Sequence, residues 1–191
     1  MNSNSNGIID TLDMIMLDYP AGDEESVIGQ WDAFVQFQKE GLVDDLAVSN
    51  FNGRQLDYIL NHLSTTTDAS TTSTTTTSNQ RPVVNQLPFS IANHPKRYIE
   101  ENTKRNIHVQ SWSPLSTTIP KYKDQLSTIG KKYNKSAAQI GLRWIVQNGV
   151  SYCVQSKKAS HFKEDLDVFD FELTDAEMEV LDNLEPPRLL G

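Results

Sequence analysis

Residues 41–51 read Gly-Leu-Val-Asp-Asp-Leu-Ala-Val-Ser-Asn-Phe. Gly41 is a residue that ends helices, Leu46 to Val48 is a short apolar run, and the run opens into Ser49, Asn50 and Phe51. Helix stop, strand and polar strand end are the parts of a βα unit whose strand delivers side chains to a ligand at its carboxyl end. The same pattern recurs on either side, in Leu12 to Leu17, Pro82 to Leu87, Ile107 to Trp112 and Val150 to Val154. Parallel strands covered by helices are nearly continuously hydrophobic, and these runs mostly are. Short apolar runs also suit buried helix, so the intervening segments carry the decision.

Those segments have helical spacing. From Glu24 to Gln38, Val27, Ile28, Trp31, Phe34 and Val35 recur every three or four residues, and Gln55 to Leu63 repeats this with Leu56, Ile59, Leu60 and Leu63. Ser136 with Gln139 has capping-box spacing ahead of Ile140, Leu142, Trp144 and Ile145. Thr174 with Glu177 offers the same box to a last helix bearing Met178, Leu181 and Leu184, stopped by Pro186-Pro187. Strand and helix alternate, so the expected class is α/β with a parallel sheet.

Composition narrows the partners. The chain has 191 residues, 37% hydrophobic and 22% charged, enough for one domain with a core and short of a complete eight-fold β/α barrel, which takes roughly 250 residues. Seventeen basic residues against 25 acidic ones give a net charge of −8, which disfavours nucleic acid and anionic lipid as partners. A lone cysteine, Cys153, excludes an internal disulfide framework and a cysteine-based zinc site, and no metal site is expected. With no long apolar run and no signal-peptide pattern in residues 1–7, the sequence reads as soluble, cytoplasmic and without a membrane partner.

From Ser64 to Ser78, 13 of 15 residues are Ser or Thr. Such a stretch cannot bury apolar area to offset its ordering entropy, so residues 64–78 are expected to be a disordered insertion. The expected domain is 8–185, with tails at 1–7 and 186–191.

Chemistry is sought at the strand ends: Asp18-Tyr19-Pro20, Ser49-Asn50-Phe51, Asn85-Gln86, Trp112-Ser113-Pro114 and Gln155-Ser156-Lys157-Lys158. Together they offer amides, hydroxyls, an aromatic face, a carboxylate and two ammonium groups. A flat amide-bearing ring stacked on the aromatic suits the first kinds of group, and a phosphate suits the Ser156 and Lys157-Lys158 end. Trp31 and Trp144 read as core residues, Cys153 as a small core residue of its run, and His62, His94 and His108 as surface or capping residues.

The blocks LDMIMLDYP, GLVDDLAVSNF, PVVNQL, SWSPLS, KYNKSAAQIGLRWIVQNG and ELTDAEMEVLDNL, in this order, resemble the second half of an aldo-keto reductase from about Asp10 to Leu184. The resemblance implies a partial (β/α)8 TIM-type barrel whose five runs are strands four to eight, in a truncated, NADP-dependent type of oxidoreductase. It implies that Ser49, Asn50 and Gln86 hold the nicotinamide carboxamide. Trp112 stands where an aromatic stacks on the ring, and Ser113 and Leu115 line the pyrophosphate loop. The family's Ile-Pro-Lys-Ser becomes Cys153-Val154-Gln155-Ser156, so Gln155 replaces the lysine that pairs with the adenosine 2′-phosphate. His161 replaces an arginine there, Glu164 is retained, and Asp165 replaces the asparagine facing adenine. Lys157 and Lys158 could supply a displaced cation. The implied cofactor is NADP(H) or NAD(H), with NADP weakened by the two lost charges.

The resemblance also implies a catalytic tetrad of Asp, Tyr, Lys and His. The first three have no counterpart here, and the histidine position holds Asp18. An aspartate is ordinarily ionised near neutral pH, so it neither donates a proton nor stabilises a growing oxyanion. Three expectations follow: an impaired reductase of small carbonyl substrates, a non-catalytic nucleotide-binding regulatory subunit (a pseudoenzyme), or part of an incomplete gene model of an active reductase. An open sheet edge is expected to recruit an oligomer or a partner chain.

Overall fold

The computed structural model describes residues 10–65, 80–116 and 118–184. The expected tails and most of the Ser/Thr tract lie outside these residues. The chain divides into two compact units, Met1–Asn85 and Gln86–Gly191, where composition alone suggested one domain.

The first unit contains β1 (Leu12–Leu17), α1 (Glu24–Lys39), β2 (Val43–Ser49) and α2 (Gly53–Thr65). The strand β3 (Pro82–Leu87) crosses the boundary. The second unit continues with α3 (Lys96–Thr103), β4 (His108–Trp112), α4 (Thr118–Tyr133), α5 (Ala137–Gln147), β5 (Ser151–Cys153), α6 (Ala159–Leu166) and α7 (Asp175–Asp182). The five strands form one sheet in the order β1-β2-β3-β4-β5, each neighbour following in sequence. β1 pairs with β2 in parallel, setting Ile15 opposite Leu46 and Leu17 opposite Val48. β4 and β5 are likewise parallel, with Trp112 opposite Cys153. Sequential parallel order is the wiring of a β/α barrel rather than of a doubly wound sheet, whose order reverses at a switch point.

In the first unit, α1 starts at Asp23, whose Oδ1 accepts the Ser26 N–H at 3.0 Å. It stops before Gly41, whose φ of +73° is the left-handed conformation of a helix terminus. Val27, Trp31 and Val35 of α1 are buried with Leu46, Ala47 and Val48 of β2 and Leu56 and Ile59 of α2. The Trp31 indole also donates to the Gln80 carbonyl at 3.1 Å, so this core tryptophan has its polar edge satisfied.

Two expectations are corrected here. β2 begins at Val43 rather than Leu46, because the ladder to β1 pairs Val43 with Leu12 and Asp45 with Met14, although Asp44 and Asp45 stay exposed. Ser64 and Thr65, expected to be disordered, close α2: their hydroxyls donate to the Asn61 and His62 carbonyls at 2.7 and 2.9 Å. Carbonyls of a last helical turn lack backbone partners, and short hydroxyl side chains supply them.

The second unit packs around Phe89, Leu126, Ile140, Leu142, Trp144, Ile145 and Leu181. Phe89 stacks on Trp144 at 5.3 Å, and the Trp144 indole donates to Asp182 at 2.8 Å. Both expected capping boxes form, at Ser136/Gln139 and Thr174/Glu177. Glu177 is buried and accepts from the Lys132 ammonium, the Tyr133 hydroxyl and the Thr174 N–H. Burial alone would raise its pKa, but these donors bring it down to about 2. His94 takes the capping role: one ring nitrogen faces the carbonyl of Asp182, the last residue of α7, at 3.1 Å, the other faces the Ser90 carbonyl at 3.2 Å, and the ring packs edge-on to Trp144.

Candidate functional site

A cleft of about 720 Å³ opens in the second unit at the carboxyl ends of β4 and β5. Eight residues singled out from the sequence line it: Trp112, Ser113, Leu115, Gln155, Ser156, His161, Glu164 and Asp165. Pro114, Ser116, Ile119, Pro120, Ala138, Cys153 and Val154 complete the lining. Ile119 and Pro120 come from α4, a helix the spacing did not reveal because its first turn carries a proline and Tyr122 breaks the helical dihedrals.

Local backbone positions these groups. β4 ends at Trp112, and the next residue, Ser113, has φ of +50°. A non-glycine residue there is uncommon, and apart from glycine only asparagine and aspartate adopt the conformation readily. Among the described residues the other non-glycine cases are all asparagines, Asn50, Asn106 and Asn134. Ser113 therefore holds a strained turn at the mouth of the cleft, where such strain clusters with function.

β5 is three residues long, and its alternation decides the fate of Cys153. Tyr152 packs against the core, and the next residue, Cys153, faces the other way, exposed and lining the cleft. The expectation of a core cysteine is corrected. Partial burial still raises its thiol pKa above the ordinary value.

Beyond β5 the chain turns into α6, which starts after Lys158 with no side-chain cap. Ser156 Oγ lies 3.0 Å from His161 Nδ1 and accepts the Lys158 N–H at 3.1 Å. Lys157 is exposed beside this turn but does not line the cleft. On the far side of the turn, Asp165 is buried, and burial first, then the neighbouring Glu164, raises its pKa while His161 opposes the rise. The Tyr152 hydroxyl donates to the Asp165 carbonyl, fixing this part of α6 against β5.

The remaining sequence-derived residues stand elsewhere. Gln86 donates its amide to Gln110 Oε1 at 2.6 Å and does not line the cleft. Ser49 and Asn50 belong to the first unit. Asn50 has φ of +66° and donates to Ser49 Oγ at 3.0 Å and to the Asp18 carbonyl at 3.3 Å. β1 ends at Leu17, so Asp18 and Tyr19 lie past the strand and are both exposed. Among the described residues no group of three His, Cys, Asp or Glu could hold a metal ion, and no helix is long and apolar enough to cross a membrane.

Parallel βα units in sequential order, with a cleft of about 720 Å³ at the strand ends, define part of a (β/α)8 barrel. The Aldo/keto reductase family model matches residues 2–186, and the chain belongs to that family. Glyoxal reductase of Bacillus subtilis is 30% identical over 183 residues, covering 96% of this chain and 60% of the relative. An aldo/keto reductase structure from Brucella melitensis superposes with a TM-score of 0.76 at 26% identity, covering 92% of this chain and 62% of that one. A Gox0644 mutant in complex with NADPH gives 0.77 at 26% identity, covering 92% and 59%. The chain thus spans about 60% of the length of the relatives it matches.

Proposed function

We propose that this chain binds a nicotinamide nucleotide, NADP(H) or NAD(H), in the β4/β5 cleft as an aldo-keto-reductase-like oxidoreductase homologue. The observation that carries the reading is the convergence of eight side chains, from positions that the family resemblance singles out, on one cleft of about 720 Å³. Their chemistry suits the group. Trp112 offers a π face, Leu115 and Ile119 apolar walls, and Ser113, Ser156 and His161 hydrogen-bonding groups for phosphate oxygens, with Lys157 and Lys158 alongside.

The bound nucleotide would supply hydride for an aldehyde or ketone carbonyl. This chain's residues would orient and shield it. Proton supply is the weak point. A carboxylate at Asp18 opposes a developing oxyanion instead of stabilising it. This favours impaired turnover, and it supports a second reading in which the chain senses nucleotide without catalysis. The exposed, unpaired Cys153 suits a reducing, cytoplasmic setting.

Titration with NADPH and NADH, followed by turnover assays on an aldehyde panel, tests the proposal. Saturable binding supports it, turnover separates enzyme from sensor, and absence of binding refutes both.

A further inference from the structure

Gly141 lies in the interior of α5, between helix ends at Ala137 and Gln147, and is buried. Inside a helix, glycine costs more backbone entropy than alanine and is the less stabilising residue. What the missing side chain provides here is space. A Cβ at this position would stand 3.3 Å from Leu115 Cδ2 and 3.7 Å from Thr118 Cγ2. The second distance is an ordinary van der Waals contact and the first is tight, so Leu115 is the neighbour that would have to give.

Leu115 packs on one side against the core cluster that contains Ile140, Leu142 and Ile145 of α5, and it also lines the cleft. A shift away from α5 therefore carries it towards the cleft. It does not move alone. The Leu115 carbonyl accepts the Ile119 N–H at 3.1 Å, and the Ser113 carbonyl accepts both the N–H and the hydroxyl of Ser116, at 3.3 and 3.0 Å. Ser113, Leu115, Ser116 and Ile119 all line the cleft, and Ser113 holds the φ of +50°. A packed, hydrogen-bonded turn of this kind transmits a displacement instead of absorbing it. By contrast, Gly29 of α1 has nothing within 4 Å of a Cβ placed on it, so the same substitution there meets no neighbour.

We infer that Gly141 is a positioning residue of the β4/β5 cleft: the absence of its Cβ lets Leu115 seat against α5, and this sets the width left for a ligand. Gly141 acts through Leu115 and touches no ligand itself. The role concerns the cleft whatever occupies it; only its binding readout rests on the nucleotide reading above.

Gly141→Ala, Leu115→Ala and the double variant test this, with Gly29→Ala as the control. Two quantities are read on the folded full chain: the rate at which iodoacetamide alkylates Cys153, the single cysteine, and the affinity for NADPH. Gly141→Ala is expected to melt at or above the wild-type temperature, because alanine favours the helix, yet to label and to bind each about fivefold less well. In the Leu115→Ala background the same change is expected to alter neither quantity, since the side chain that must give is gone. Gly29→Ala shares the gain in helix stability and is expected to leave both at the wild-type value. If Gly141→Ala melts lower, labelling is read well below that transition, and the comparison with the double variant still decides. A wild-type chain that binds neither NADPH nor NADH refutes the nucleotide reading and leaves the labelling rates to decide the role of Gly141. Wild-type labelling in Gly141→Ala overturns the inference, and so does an effect that persists undiminished without the Leu115 side chain.

Discussion

Ser156 Oγ and His161 Nδ1 lie 3.0 Å apart across the first turn of α6, and the serine oxygen also accepts the Lys158 N–H. This places a hydroxyl, an imidazole and a backbone amide around one point at an uncapped helix N-terminus, where the helix dipole favours an anion. In the proposed binding mode a second phosphate on the ribose would meet these groups, without the permanent charge of the lysine and arginine that the resemblance gives the family at the positions of Gln155 and His161.

Cofactor preference follows from that replacement. Gln155→Lys and His161→Arg each add a charge-assisted contact, expected to tighten NADPH by roughly tenfold or more and to leave NADH nearly unchanged. Fluorescence titration of both nucleotides measures it. Equal gains for the two nucleotides would mean that these positions do not face a 2′-phosphate.

Cys153 gives a chemical probe of the same cleft. Its thiol is exposed, yet partial burial raises its pKa, so little thiolate exists at neutral pH. Iodoacetamide labelling, followed by mass spectrometry, is expected to be slower than for a free thiol at pH 7, to accelerate as pH rises through the alkaline range, and to slow when NADPH is present. Labelling indifferent to saturating nucleotide would remove the cysteine from the binding site.

Glu177 ties α7 to α4 through Lys132 and Tyr133. Its folded pKa of about 2 lies below the ordinary 4.5, so its stabilisation is fully present above pH 4.5 and is lost as pH falls towards 2. Glu177→Gln is expected to lower stability by about 2–3 kcal/mol near neutral pH. The difference from wild type should shrink towards zero near the folded pKa. A constant difference in thermal unfolding between pH 7 and the acid limit would show that the carboxylate's charge is not what matters.

Asn85 is fully buried, donates to the Phe51 carbonyl at 2.8 Å and accepts the Phe51 N–H at 3.4 Å. It therefore holds the turn that follows Ser49 and Asn50. Asn85→Ala leaves both Phe51 backbone groups buried without partners, and a loss of about 2–3 kcal/mol in denaturant unfolding is expected. A loss within experimental error would mean that water replaces the amide.

How much of this was legible in the sequence differs from element to element. The runs Leu12–Leu17 and Pro82–Leu87 match β1 and β3 to the residue, because bounded apolar stretches with a polar exit leave little else to form. The boxes at Ser136 and Thr174 were readable because a cap and its partner are three residues apart. By contrast, α3, α4 and α6 have polar or proline-bearing first turns, and packing rather than local pattern holds them. The exposure of Cys153 depends on where β5 stops, a tertiary fact that an apolar run conceals. Most of the candidate cleft was reached through the blocks SWSPLS and CVQS. Their strained and uncapped geometry at Ser113 and Ser156 belongs to the folded chain alone.

The most direct test of the central claim is isothermal titration of NADPH into the wild-type chain and into Trp112→Ala. The account predicts saturable one-site binding to the wild type. It also predicts affinity reduced by about tenfold or more in the variant, since loss of a stacking face is worth about 1–3 kcal/mol. Absence of saturable binding of NADPH and NADH to the folded wild-type chain, or equal affinity in Trp112→Ala, would contradict it.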